Sequence, residues 1–182
     1  ASEGAISLAT LSASRPVLIT PHPGEMGRLL PDVRVASPPT SNATVADPPE
    51  SGVLLDDRPA AVRAAAEAFA CTVVLKGAPS LVAWPGGRML IDSQGSSDLA
   101  VAGMGDTLAG VCGALLAQGL GAPEAAAVGL YVSGRAAVLA DLGASLTPSD
   151  VVQHLPAALA ERAPATTDLD LPFVVFDADP AR

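Results

Sequence analysis

Gly103-Met104-Gly105-Asp106 runs without a break into Thr107-Leu108-Ala109-Gly110-Val111-Cys112-Gly113-Ala114-Leu115-Leu116, a small-residue apolar run that carries no charge. Two glycines ahead of a helix let the backbone turn tightly, leave several N–H groups unpaired and set the positive end of the helix dipole beneath them. Such a turn favours an anion. The acid inside it has two readings. Asp106 can cap the helix, or, beside a phosphate-sized anion hole, it can take the proton from a hydroxyl that attacks a phosphoryl group.

Working outward, Val17 to Thr20 is a short apolar run closed by Pro21-His22-Pro23-Gly24, the pattern of a buried strand that delivers a loop at its carboxyl end, with a helix from Glu25 to Leu30. Pro59 to Ala70 reads as an alanine-rich helix with its proline in the first turn. Thr72 to Leu75 is a β-branched strand ending at Lys76-Gly77. Leu81 to Trp84, the Pro85-Gly86-Gly87 turn and Arg88 to Ile91 read as a hairpin. Helices follow over Pro123 to Leu139 and from Thr147-Pro148 to about Arg162. Strands alternating with helices imply an α/β layered domain with a mainly parallel sheet, whose ligands bind at the carboxyl ends of strands.

Composition sets limits. The 182 residues are enough for one domain with a core, and 49% hydrophobic content fits a folded protein. A formal charge of −9 argues against nucleic acid and anionic membrane as partners, since no basic patch is present to neutralise phosphates. Local amides and a few cations still suffice for a nucleotide. The stretch Thr107 to Pro123, with four glycines, falls short of the roughly 20 apolar residues of a membrane span. Cys71 and Cys112 have no metal-ligand spacing, and no cluster suggests a metal site, so they read as reduced core residues of a cytoplasmic protein. The N-terminus shows no targeting pattern.

Three segments taken in order, Pro16-Val17-Leu18-Ile19-Thr20-Pro21-His22-Pro23-Gly24-Glu25-Met26, Val73-Val74-Leu75-Lys76-Gly77-Ala78 and Ala102-Gly103-Met104-Gly105-Asp106-Thr107-Leu108-Ala109-Gly110, resemble the ADP- or ATP-dependent NAD(P)H-hydrate dehydratases of the ribokinase-like superfamily. The resemblance runs from about Arg15 to about Leu159. It implies a ribokinase-like α/β/α domain incomplete at its N-terminus, with residues 1–182 forming one partial domain, 31–57 a Pro-rich loop insertion and 163–182 a linker plus C-terminal strand. The activity it implies is repair of hydrated NADH or NADPH: ADP or ATP phosphorylates the hydroxyl on the damaged ring, and phosphate then leaves. Asp106 would be the catalytic base and a substrate contact, and His22 a substrate contact. Lys76, Gly77, Ala78, Pro79, Ser80, Gly103 and Gly105 would hold the nucleotide. Mg²⁺ and assembly into a homo-oligomer are also implied.

Each motif has a plainer reading. His22 can be a loop histidine that caps its neighbours, Glu25 a first-turn acid that complements a helix dipole, and Lys76 an exposed lysine at a strand end. Trp84 reads as hairpin packing and His154 as a surface residue. Three departures from the family pattern put the details of nucleotide binding in question: Pro79-Ser80 in place of Gly-Thr, Met104 in place of Ser or Gln, and Gly95-Ser96-Ser97-Asp98 in place of Asn-Pro-Gly. Two further classes stay open, a sugar or vitamin-alcohol kinase of the same superfamily and a non-catalytic nucleotide-binding fragment. Finally, Leu171-Pro172-Phe173-Val174-Val175-Phe176-Asp177-Ala178-Asp179 resembles a strand that in the family lies just upstream of His-Pro-Gly-Glu. Read so, it would pair beside Val17 to Thr20 and bring Asp177 and Asp179 near His22; otherwise it is an unrelated tail.

Overall fold

A computed structural model of the protein describes residues 8–30 and 57–161 together with the strand at 173–176. A helical segment at 8–12 leads into β1 (Leu18–Ile19) and α1 (Pro23–Leu29). There follow α2 (Arg58–Phe69), β2 (Thr72–Leu75), β3 (Leu81–Ala83), β4 (Met89–Asp92), a short turn at Ser97–Leu99, α3 (Met104–Ala117), α4 (Ala122–Ala140), α5 (Pro148–Ala160) and β5 (Phe173–Phe176). Of the loop insertion expected over 31–57, all but Asp57 lies outside the described residues; Asp57 accepts from the Ala60 amide and caps α2.

β2 and β3 are buried on both faces, which is why they read as continuous apolar runs rather than as alternating ones. Side chains still alternate in direction. Val73, Leu75, Leu81, Ala83 and Met89 pack with Val62 and Phe69 of α2 and Met26 of α1. Val74 and Val82 face the other way, onto Leu108, Cys112, Ala126 and Leu130 of α3 and α4, with Trp84 packed against the same cluster. Outside this layer α5 lies on α4 through Val132, Ala136, Val151 and Ala158. Gly129 lets α3 and α4 approach closely, since a Cβ there would stand 2.6 Å from the Cys112 sulfur. Both cysteines are free and buried, and burial pushes each thiol up to about 11.

The α/β/α layering is the one expected, but the sheet is mixed rather than mainly parallel. Its order is β1-β2-β3-β4-β5, with β1 and β2 parallel and the other three pairs antiparallel. The turn of the hairpin accounts for this: Pro85-Gly86-Gly87 reverses the chain within a few residues, with Gly86 and Gly87 at positive φ, so β3 and β4 must run antiparallel. The C-terminal segment does form a strand, yet it does not lie beside β1. All four residues of β5 pair with β4 at the opposite edge, from Met89↔Phe176 to Asp92↔Phe173. β4 offers a four-residue edge, whereas β1 pairs over only two residues, so the longer ladder satisfies more backbone groups. Asp177 and Asp179 fall outside the described residues.

The mixed topology still gathers one working edge. β1 and β2 point their carboxyl ends toward it, and β3 begins there because it runs the opposite way. β4 ends there again, with the Asp92 amide donating to the Ser80 carbonyl at 2.9 Å.

Candidate functional site

His22 follows β1 and is the N-cap of α1. Its Nδ1 accepts from the amides of Gly24 at 3.0 Å and Glu25 at 3.3 Å, while Glu25 Oε2 accepts from the His22 amide at 2.7 Å. This reciprocal box fixes the tautomer, because a nitrogen that accepts two N–H groups carries no proton of its own. The remaining nitrogen, Nε2, stands 3.5 Å from Glu25 Oε1. The capping reading of His22 is therefore realised, through the amides of Gly24 and Glu25, and it leaves the proton on Nε2, on the side of the ring that faces the Glu25 carboxylate.

Lys76 extends the β1–β2 ladder, its amide donating to the Pro21 carbonyl at 2.9 Å. Its ammonium lies 3.7 Å from Glu25 Oε2 and is only a quarter exposed. It also lies over the first turn of α3, where a Cβ added to Gly105 would stand 2.9 Å from Nζ. Glycine at 105 is thus what lets the ammonium approach the helix. The hydrogen bond from the His22 amide, helped by the positive charge of Lys76, holds the Glu25 carboxyl below its ordinary value against its partial desolvation.

α3 begins three residues earlier than the small-residue run suggested, so Gly105 and Asp106 lie inside its first turn. Gly103 is the N-cap at φ 87°, a left-handed conformation that glycine adopts without strain. No side chain caps this helix. Among the described residues the amides of Gly105 and Asp106 have no hydrogen-bond acceptor, the first helical bond being Thr107 to Gly103. The capping role considered for Asp106 is not the one it plays: its side chain is exposed and bonds none of these amides.

A cavity of about 340 Å³ opens between the strand ends and α3. It is lined by His22, Lys76, Gly77, Ala78, Ser80 and Gly105 of the residues singled out from sequence. Gly103, Pro79 and Asp106 are not in its lining; Asp106 is exposed, in the same helical turn as Gly105. A shallower cavity of about 400 Å³ runs along β1 past Glu25 and Arg28. The converging polar groups belong to the first cavity, which is the better candidate for a ligand site.

Sequence reasoning missed three contributors. Arg58, at the start of α2, donates to the Pro79 carbonyl at 2.7 Å and lies so close to Gly77 that a Cβ there would overlap its guanidinium, which braces the 76–80 loop. Asp92 and Ser133 are both buried and both line the cavity. Burial raises the Asp92 carboxyl above its ordinary value, opposed by hydrogen bonds from the Gln94 and Gly95 amides. None of the three belongs to a motif, and each meets the site only through packing. His154, by contrast, engages the Asp150 carbonyl through Nδ1 and lies outside the cavity lining.

The family model for NAD(P)H-hydrate dehydratase matches residues 3–157. The chain is 39% identical over 155 residues to the bifunctional NAD(P)H-hydrate repair enzyme of Mycobacterium leprae, covering 82% of this chain and 28% of the relative. It is 41% identical over 121 residues to the ADP-dependent (S)-NAD(P)H-hydrate dehydratase of Neisseria meningitidis, covering 66% of this chain and 35% of that one. Among solved structures, the ADP/ATP-dependent NAD(P)H-hydrate dehydratase of Bacillus subtilis, co-crystallised with ATP/Mg²⁺ and soaked with CoA, superposes with a TM-score of 0.64 at 26% identity, over 79% of this chain and 48% of that chain. The chain therefore spans about a third of the length of these two curated relatives. With the family model covering most of its residues and the three motifs folded onto one sheet edge, the chain belongs to the NAD(P)H-hydrate dehydratase family.

Proposed function

We propose that this chain carries the nucleotide site and the reactive aspartate of an ADP- or ATP-dependent NAD(P)H-hydrate dehydratase. One observation carries the reading: the Lys76 ammonium rests against the positive end of α3, beside unpaired amides. A cation at that end of a helix is unfavourable by itself, and Glu25 offsets it only in part. A phosphate group placed there would satisfy the ammonium and the amides together.

In this reading the nucleotide enters the cavity with its phosphates at Lys76 and Gly105, bounded by Gly77, Ala78 and Ser80, while Pro79 and Gly103 shape the backbone around it. The amides of the α3 turn stabilise charge on the transferred phosphoryl group. Asp106, exposed in the turn next to Gly105, takes the proton from the ring hydroxyl of hydrated NADH or NADPH approaching from the solvent side. His22 donates its Nε2–H to that substrate. Once phosphorylated, the hydroxyl oxygen leaves with its phosphate as the ring C–O bond breaks, and loss of a proton from the neighbouring ring carbon restores the double bond of the dinucleotide. Mg²⁺ fits as a partner of the phosphates: among the described residues no cluster of three acids, histidines or cysteines would hold a cation alone. Ions of this kind use one or two carboxylates plus phosphate oxygens; Asp106 lies in the turn itself and Glu25 pairs with Lys76 beside it. When bound it would screen phosphate charge.

We also assign the protein to the cytoplasm and to self-association, on the free buried cysteines and on the edge of β1, which pairs with no second strand among the described residues. Among the described residues no helix is long and apolar enough to cross a membrane. The domain boundaries inferred from sequence belong to the same proposal. Incubation with hydrated NADH plus ADP or ATP, followed through recovery of the NADH absorbance, tests it. Recovery that requires nucleotide supports the dehydratase. Nucleotide binding without recovery identifies a non-catalytic subunit, and phosphorylation of an added sugar or vitamin alcohol identifies a kinase.

A further inference from the structure

Arg58 is the first residue of α2, and the helix itself gives no reason for it. The first turn of a helix carries positive partial charge, so a cation there is unfavourable, and Asp57 caps the turn without help. No carboxylate among the described residues forms an ion pair with Arg58. Its Nε is buried without a hydrogen-bond partner, a cost that a surface arginine avoids by keeping its charged head in water. What the side chain does make is a charge-assisted bond, Nη2 donating to the Pro79 carbonyl at 2.7 Å. The guanidinium also fills the space beside Gly77, where a Cβ would overlap it.

Both contacts fall in the middle of the 76–80 loop. Its ends are held by the sheet, the Lys76 amide donating to the Pro21 carbonyl and the Ser80 carbonyl accepting from the Asp92 amide. Between them Pro79 has no N–H to give, and the Ser80 hydroxyl donates to the Gly77 carbonyl within the loop. Among the described residues the Arg58 bond is thus the tie between the middle of the loop and the helix beside it. Gly77, Ala78 and Ser80 line the cavity, whereas Arg58 does not. Further along α2, Arg63 Nε donates to the Gly87 carbonyl at 3.1 Å and Glu67 accepts from the Gly86 amide at 2.7 Å, so the same helix also grips the opposite end of β3. We propose that Arg58 is a positioning residue for the nucleotide: it keeps the 77–80 loop in its binding shape without touching the ligand. The inference rests on the nucleotide reading of the cavity above. A loop that holds this shape only part of the time lowers the apparent affinity by that fraction, and saturating nucleotide restores it, so the signature lies in KM rather than in kcat.

Arg58→Ala and Arg58→Lys test this beside Arg63→Ala and Glu67→Gln, with ATP affinity read by calorimetry and with KM for ATP and kcat read from recovery of the NADH absorbance. The expected result in Arg58→Ala is a roughly tenfold rise in Kd and KM for ATP at unchanged kcat, as for a loop in its binding shape about a tenth of the time. Arg58→Lys keeps a donor for the Pro79 carbonyl but loses the planar group beside Gly77, so it should fall between Arg58→Ala and the parent, and it carries the test by itself if Arg58→Ala does not fold. The two variants at the far end of β3 should melt below the parent and bind ATP as the parent does. Parent-like ATP affinity in both Arg58 variants would overturn the positioning role and leave the nucleotide site standing. An equal loss of ATP affinity in Arg63→Ala and Glu67→Gln would overturn it too, since Arg58 would then brace the hairpin as a whole, and so would a fall in kcat at constant KM. Failure of the parent protein to bind ATP would overturn the nucleotide reading and this inference with it.

Discussion

Replacing Lys76 with alanine separates a ligand-binding lysine from a structural one, and the geometry sets both magnitudes. Among the described residues its ion-pair partner is Glu25, at 3.7 Å between side chains 26% and 44% exposed. Coulomb attraction at that distance is about 1 kcal/mol in water and about 4 kcal/mol at an effective dielectric of 20. The exposures put the pair near the lower figure, where measured contributions are about 0.2–1 kcal/mol. Against this stands the ammonium's position over the positive end of α3, unfavourable by about 0.3–1 kcal/mol. The two nearly cancel, so ligand-free Lys76→Ala is expected to melt within about 3 °C of the parent. With nucleotide bound the balance changes. A charge-assisted hydrogen bond to phosphate contributes about 1.5–3 kcal/mol, a rise of about 10- to 150-fold in Kd when it is lost. Calorimetry with ATP at two salt concentrations reads the effect, and the parent's affinity should fall more steeply with salt than the variant's. A variant that melts well below the parent but binds ATP equally well would refute the reasoning and return Lys76 to packing.

Asp106→Asn should lower turnover of hydrated NADH by about 10² to 10⁴ while ATP affinity holds, because the Gly105 and Asp106 amides stay in place; ATP binding lost together with turnover would make the side chain structural. Glu25 titrates below its ordinary value of 4.5 in the folded protein, so the stability it contributes is complete above that pH and is lost as pH falls through the lower folded value. Thermal melts of the parent and Glu25→Gln should accordingly converge as pH drops below about 4.5, and a gap that widens on acidification would contradict the assignment. Deleting residues 171–182 removes β5 and bares the four-residue edge of β4, which should lower the melting temperature and promote association; light scattering and melting unchanged from the parent would show that β4 needs no partner.

Much of this protein is local in origin, and those parts were legible from the chain alone. The apolar runs at 72–75 and 81–83, the glycine-bearing turn at 85–87 and the small-residue helices follow from short-range pattern, since periodicity and turn chemistry act over a few residues. The same holds for Gly103 to Asp106, where positive φ and unpaired amides come from the turn itself, and for Lys76 and His22 at strand ends. Only the tertiary structure decided which edges pair and which side chains share a space. The place of β5 depended on the relative lengths of the two edges that β1 and β4 present among the described residues, a quantity absent from β5's own sequence. Arg58, Asp92 and Ser133 reach the site from a helix start, a strand end and a mid-helix turn that are far apart in the chain. Their convergence is a property of how α2, β4 and α4 pack, and a reading that advances by local pattern has no term for it.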